Sequence, residues 1–449
     1  MSNLFCDFKH FLYLCGGKDK FFCMKVAIIG AGAAGCFCAV NLKRINPDAV
    51  VEVFEGGSRP LAKVTITGGG RCNLTNSFEG IRNLAEAYPR GDKLMKRMFS
   101  VFDNEATMDW FESEGVRLVT QDDNCVFPAS QDAMTIVNTL FRGMERSGVL
   151  LHTRHKAMRI SPVSHTSATD TEPSAIETQS SDISYEISLL VDGEREVMRE
   201  FDKVIVTTGG SPKRSGIGFL DELNLEIAEP IPSLFTFNIN DPITALMGAV
   251  VEGASVRLAS TKFKSSGPLL ITHWGMSGPA ILKLSSYAAR YLAENEYKAA
   301  LLVNWLGDEY NEQSALSLIQ NIIAKNPQKQ ISSVHPEELT SRMWSYIINK
   351  CTIPSDRKLS ELSKKHLNVL CATLTNDTYK IEGQSRFKDE FVTCGGVALS
   401  NINQNTLEAK QYPGLYFAGE VLDVDAITGG FNLQAAWSMG YVIANEISN

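Results

Sequence analysis

No stretch of this chain approaches the ~18 uninterrupted apolar residues that a membrane-spanning helix needs. It also lacks a surplus of positive charge. Lys and Arg number 43 against 51 Asp and Glu, a formal net charge of −8. That argues against a nucleic-acid partner held on a broad basic surface, though a local basic groove stays open. None of the ten cysteines forms a C-x-x-C and no Cys/His group has zinc spacing, which sets aside a disulfide scaffold and a metal centre. The thiols scatter through apolar segments, as expected of reduced, buried cysteines in a cytoplasmic protein. With 34 Gly and 16 Pro in 449 residues, the chain is too poor in both to be fibrous. No internal repeat is evident.

What is present is the balance of a globular protein, 44% hydrophobic and 21% charged. The length fits about two to four domains. Val26-Ala27-Ile28-Ile29 is a continuous apolar run, the pattern of a strand buried on both faces. Gly30-Ala31-Gly32-Ala33-Ala34-Gly35 follows at once, then a helix through residues 36–44 that stops at Asn46-Pro47-Asp48. Val50-Val51-Glu52-Val53-Phe54 is the next strand, so a βαβ unit opens a parallel sheet. Residues 1–23 precede that unit. Their run Phe11-Leu12-Tyr13-Leu14-Cys15 is too short for a signal-peptide core, and an appendage to the fold is expected.

Further along, residues 92–118 and 132–144 read as helices, and within 150–206 strands are read at 150–153, 157–160, 185–191 and 204–206. Residues 161–183, crowded with Ser, Thr, Asp and Glu, read as a long, mobile hairpin tip. The texture changes near Pro230-Ile231-Pro232: short strands with one helix fill 234–305, and mostly helix fills 311–375. It changes again from Phe387, where an apolar strand at 415–418 and a final helix from Leu433 to Ile447 resemble the first part of the chain. One α/β domain split by an insertion accounts for this order.

Four glycine-rich turns carry the chemistry. In Gly30-x-Gly32-x-x-Gly35, the first glycine permits the tight turn and the second lets backbone approach a pyrophosphate. The third lets the helix pack close to the sheet. Glu55 stands twenty residues after Gly35, matching the ~20-residue spacing of an acid that accepts from ribose hydroxyls. An acid there favours the adenosine of FAD or NAD over NADP. The second turn is Lys63-Val64-Thr65-Ile66-Thr67-Gly68-Gly69-Gly70-Arg71-Cys72-Asn73, whose bare backbone and flanking cations suit a cofactor loop. The third is Thr207-Thr208-Gly209-Gly210, directly after a buried strand. The fourth runs from Gly419-Glu420 through Asp423 to Gly429-Gly430-Phe431-Asn432-Leu433-Gln434 and opens the last helix.

In these residues the chain resembles the FAD-dependent oxidoreductases of the aminoacetone-oxidase-like group, which includes the BaiN-like proteins. The motifs are GAGAAG at 30–35, GGGRCNLTN at 68–76, FPAS at 127–130, TTGG at 207–210, THWGMSGP at 272–279 and the run at 414–440. The resemblance implies a glutathione-reductase-like FAD-binding Rossmann domain (α/β) interrupted by a β-rich inserted domain with a helical part. The expected division is an extension at 1–23, FAD-binding parts at 24–227 and 385–449, and the insertion at 228–384. It further implies that Gly30, Ala31, Gly32, Ala33, Ala34 and Gly35 hold the FAD pyrophosphate and Glu55 the adenosine ribose. Lys63, Gly68, Gly69, Gly70, Arg71, Cys72 and Asn73 would line the flavin side, and Ala157 would border the adenine. Thr207, Thr208, Gly209 and Gly210 would cover the dinucleotide. Gly419, Glu420, Asp423, Gly429, Gly430, Phe431, Asn432, Leu433 and Gln434 would bind the ribityl chain and flavin ring. Two departures are Ala426, where the family often has Gly, and the longer 161–183 segment.

No catalytic residue is identified. His273, Arg71 and Cys72 are candidates; a His beside Trp274 is more often packed than catalytic, and a Cys72–Cys394 redox pair lacks a C-x-x-C. The expected function is FAD-dependent oxidation or reduction of an unidentified small molecule. A single G-x-G-x-x-G leaves the flavin to be reduced by substrate or by transiently bound NADH or NADPH. Two alternatives stay open: an RNA-modifying flavoprotein, kept in view by the cations of 357–366, and a flavin-binding regulator without turnover. The sequence does not name an oligomeric state.

Overall fold

The computed structural model describes residues 23–164, 183–211, 213–384 and 392–448. Residues 1–22, 165–182 and 385–391 carry the expected N-terminal appendage, most of the hairpin tip and the change of texture at Phe387. All three lie outside the described residues.

The apolar runs assemble one six-stranded sheet from β1 (Lys25–Ile29), β2 (Val50–Phe54), β3 (Leu150–His152), β4 (Lys203–Val206), β5 (Glu408–Ala409) and β6 (Tyr412–Phe417). Their order is β5-β6-β4-β1-β2-β3, parallel throughout except for β5 on β6. A parallel strand covered on both faces must be apolar on both; Val26, Ala27 and Ile28 are fully buried. The register decides where function can sit. Ile29 pairs with both Phe54 and Val206, Val206 with Phe417, and Phe54 with His152, so five strands end level. Gly30, Glu55, Thr207 and Ala418 therefore leave the sheet along one edge.

Three helices cover this sheet's first strands: α1 (Ala33–Ile45), α2 (Met134–Ser147) and α3 (Phe431–Ser448). α1 packs on both others. A Cβ on Gly440 would stand 2.8 Å from the Ala34 carbonyl oxygen, so glycine is what allows α3 so close to α1. Phe37 of α1 meets Trp110 and Trp437 at ring centroid distances of 4.6 and 5.3 Å. The two indoles keep their N–H groups satisfied, on Asn41 Oδ1 and the Leu74 carbonyl, both at 2.9 Å.

Between β3 and β4 the chain makes an antiparallel meander, His155–Ser164, Ile183–Val191 and Arg195–Phe201. The last of these strands was not expected. Five of its seven residues are exposed, so charged side chains conceal its period.

Beyond β4, the strands Ile227–Ser233 and Val392–Val397 pair antiparallel, and through this ribbon the chain leaves the first body and returns. The expected boundary at 227/228 falls inside the first ribbon strand. Residues between hold a five-stranded and a four-stranded sheet with the helices Pro279–Tyr287, Ala289–Glu294, Glu312–Lys325, Ser341–Lys350 and Lys364–Asn376. Their core, from Phe235 to Ile381, is separate from the one collecting Val26–Leu223 and Val397–Ala444 by number. Arg90 fastens the two bodies. Its Nε donates to Asp425 Oδ1 at 2.5 Å, a second nitrogen pairs with Asp425 Oδ2, and Nη1 donates to the Ser286 carbonyl at 2.6 Å. Ser233 adds a hydroxyl on Asp425 Oδ2 at 2.9 Å. Among the described residues, no helix is long and apolar enough to cross a membrane.

Candidate functional site

The level strand ends open onto a crevice of about 540 Å³, within the usual range for small-molecule sites. At its first turn the glycines divide by cause. Gly30 has φ +107°, and a Cβ there would stand 2.5 Å from the Thr207 carbonyl oxygen. A Cβ on Gly35 would stand 2.1 Å from the Gly30 oxygen. Both are glycine because chain meets chain. Gly32 has φ −86°, and the nearest atom to an added Cβ is 3.9 Å away. The space beside it is the crevice itself. Gly32 also caps α1, which has no side-chain cap and no acid in its first turn. Its free N–H groups and positive dipole end face that space, an arrangement suited to a pyrophosphate.

Glu55 braces the turn. Its Oε2 accepts from the Ala31 N–H at 3.0 Å and its Oε1 from the Gly57 N–H at 2.7 Å. Thr207 does the same from the other side, donating its hydroxyl to the Gly30 carbonyl at 2.8 Å. The triple-glycine segment ends the short helix Ala62–Gly70, where Gly68 and Gly69 take φ +59° and +69°. A Cβ on Gly68 would meet Phe127 and the Asn73 nitrogen; one on Gly69 would meet nothing within 4 Å. Asn73, with its amide oriented to satisfy both groups, donates to the Thr75 carbonyl at 3.0 Å and accepts from Gly430 N at 3.2 Å. Lys63 and Glu420 pair at 3.2 Å, and Glu420 is fixed in turn by the Thr393 N–H at 2.6 Å.

The crevice therefore brings together Gly30–Ala34 by number, Glu55, Lys63, Gly68, Gly69, Asn73, Thr207, Thr208, Gly209, Gly419, Glu420, Gly429, Gly430, Asn432 and Leu433. The remaining expected residues are not part of that lining. Gly35 is inside α1, Gly70 accepts from the Ala133 N–H, and Gly210 is packed on Glu420 and Thr393. Arg71 lies over the Phe127 ring at 4.3 Å with its Nε on the Gly68 carbonyl. Ala157 is buried in the meander's first strand. Asp423 pairs with Arg290 of the inserted body at 2.7 Å. Phe431 packs edge-on to Phe78 and Tyr88, and Gln434 accepts from Thr75 Oγ1 at 2.5 Å. His273 occupies an exposed turn, its ring 4.1 Å from that of Trp274, and does not line the crevice.

Cys72 is fully buried, and desolvation pushes its thiol up to about 12 despite a hydrogen bond with Thr67 that pulls the other way. At pH 8 only about one thiol in ten thousand is then a thiolate, the form that reacts. Native protein treated with iodoacetamide at pH 8 should label the exposed Cys23 and leave Cys72 unmodified, as read by peptide mass mapping. Labelling of Cys72 at a comparable rate would contradict its placement.

Among the lining residues that sequence reasoning did not name are Arg59, Leu234, Leu282 and Val392. Arg59 follows Glu55 closely and had a readable signal in its charge. Leu234, Leu282 and Val392 had none: ordinary apolar residues of the inserted body and the returning ribbon, they reach the crevice only through the fold.

The family described as HI0933-like protein Rossmann domain matches residues 24–446. A ribosomal RNA dihydrouridine synthase of Escherichia coli (strain K12) is 27% identical over 432 residues, covering 94% of this chain and 97% of that protein. Its namesake from Haemophilus influenzae is also 27% identical, over 94% and 98%. A 3-dehydro-bile acid delta(4,6)-reductase of Clostridium scindens is 25% identical over 93% and 97%.

Proposed function

The chain belongs to the HI0933-like family of FAD-dependent oxidoreductases, and on that premise we propose that it reduces a carbon–carbon double bond conjugated to a carbonyl group. The names of its relatives support that chemistry, since making dihydrouridine and removing a delta(4,6) unsaturation both saturate such a bond. The observation that carries the reading is the crevice, lined both by a bare Gly32 with the N-terminus of α1 and by the apolar Leu234, Leu282 and Val392.

The residues fit FAD. Gly32 and the α1 amides would hold its pyrophosphate, Glu55 would stand at the adenosine end, and Lys63, Asn73 and Glu420 would surround the flavin portion. When bound, FAD supplies the electron-pair chemistry, with NADH or NADPH docking transiently as the donor. The chain's own part is to bind, orient and exclude water. Leu234, Leu282 and Val392 offer an apolar wall to a flat unsaturated acceptor. Lys63, ion-paired yet 61% exposed, can donate a hydrogen bond to an acceptor's carbonyl oxygen and so polarise the double bond.

Purified protein should be yellow and release FAD, not FMN. Under anaerobic conditions NADH or NADPH should bleach it, and an enone should restore the colour while gaining two hydrogens by mass. Recovery of FMN alone, or reoxidation by oxygen but by no unsaturated carbonyl, would sink the reading. A second reading takes uridine in RNA as the acceptor. It is favoured by the ribosomal RNA in two relatives' names and by a basic corner of the inserted body.

A further inference from the structure

We propose that the helical corner of the inserted body formed by residues 325–332, 355–360 and the first turn of Lys364–Asn376 is a docking surface for the phosphate backbone of RNA. The choice of RNA over another polyanion rests on the second reading above. The surface itself does not depend on the double-bond chemistry.

Residues 325–366 contain eight Lys and Arg against four Asp and Glu, in a chain whose net charge is −8. The fold gathers them further. Ile331 N donates to the Arg357 carbonyl at 2.8 Å and Leu359 N to the Lys329 carbonyl at 2.9 Å, while Gln330 bridges Lys358 antiparallel. Two short segments thereby run side by side and place Lys329, Arg357 and Lys358 together. The platform beneath is rigid: Ile331, Ile353 and Leu359 are buried, and Trp344 donates its indole N–H to the Ile331 carbonyl at 2.7 Å.

Lys325, Lys329, Lys358, Lys364 and Lys365 are exposed. Among the described residues none of the five pairs with a carboxylate; Lys358 touches only the neutral Gln328 amide, at 3.3 Å. By contrast Lys350, in the same stretch, turns inward to Asp377 at 2.6 Å. Lys364 and Lys365 occupy the first turn of a 13-residue helix capped by Ser363, the end where the macrodipole disfavours cations. The fold gains nothing from them there, whereas an incoming phosphate would. Val369 is the one exposed large apolar side chain on that helix, too little to anchor the corner in a membrane. The core behind the corner is the same one that reaches Leu234's neighbours and Leu282's helix at the crevice, so RNA held here is held by the body that supplies Leu234 and Leu282 to the site.

Filter retention of a labelled ribosomal RNA transcript by the flavin-loaded protein, over a salt series, tests the proposal. The triple variant Lys358→Glu, Lys364→Glu, Lys365→Glu should bind about tenfold or more weakly. The corresponding Gln variant should lower the log–log salt slope by about 0.7–0.9 for each phosphate that is no longer neutralised. Flavin content and bleaching by NADH or NADPH should be unchanged in both. Equal affinity and slope in wild type and variants, or no retention by wild type, overturns the proposal whatever the enone assay shows. Displacement of the RNA by the same charge of polyglutamate, or loss of anionic-vesicle binding in place of RNA binding, would also overturn it.

Discussion

A Gly32→Val variant is expected to be soluble and folded, and to carry no FAD. The fold can accept the change, because Gly32 has an ordinary φ of −86° and no atom within 3.9 Å of an added Cβ. The cofactor cannot, because a branched side chain would fill the space where backbone meets pyrophosphate. Absorbance at 450 nm should fall to background while the circular dichroism spectrum and melting curve stay close to wild type. Gly30→Val is the contrast. With φ +107° and a Cβ 2.5 Å from the Thr207 oxygen, it should fail to fold at all. A soluble Gly32→Val protein with full flavin content would show that the phosphates lie elsewhere.

The second large effect is on stability. Asp425 is completely buried as a side chain and Arg90 nearly so, at 12% exposure. Desolvation pushes the Asp425 carboxyl above the ordinary range even with Arg90 beside it. Arg90→Met removes the guanidinium, and the carboxylate must then stay charged without its partner or take up a proton. Breaking a buried pair in this way costs about 3–5 kcal/mol. Here it also releases the Ser286 carbonyl that ties the inserted body to the first. The urea midpoint should fall accordingly, and Arg90→Met/Asp425→Leu should recover most of the loss, since no charge is left stranded. A single-variant loss below about 1 kcal/mol would mean the pair contributes little.

The parallel sheet was legible because a strand buried on both faces must be written as an unbroken apolar run, as Val26–Ile29 by number and the residues before Thr207 and Gly419 are. Its glycines were legible for a related reason, since backbone that approaches other atoms closely has one residue available. What could not be read is which glycine answers to the chain and which to a ligand. Gly30, Gly32 and Gly35 look alike in sequence, and only the positions of Thr207 and Gly30 separate them. The apolar lining at Leu234, Leu282 and Val392 was illegible because nothing local distinguishes those half-buried residues from the other apolar residues around them in sequence. Arg71 shows what a cation next to a triple glycine also does for the fold: it stacks on Phe127 and donates its Nε to the Gly68 carbonyl.

The strand order β5-β6-β4-β1-β2-β3 has a consequence for biosynthesis. β4 ends at Val206, but its outer neighbour β6 begins at Tyr412, after the whole inserted body. At ~5–20 residues per second, the ribosome needs about 10–40 s to deliver it. Through that interval the nascent first body presents an unpaired parallel edge, the kind that recruits other chains. α3, which closes over α1, comes later still. Truncation anywhere between 210 and 410 should therefore give a chain that aggregates, and the yield of full-length protein should depend more steeply on chaperones and temperature than its finished stability would suggest.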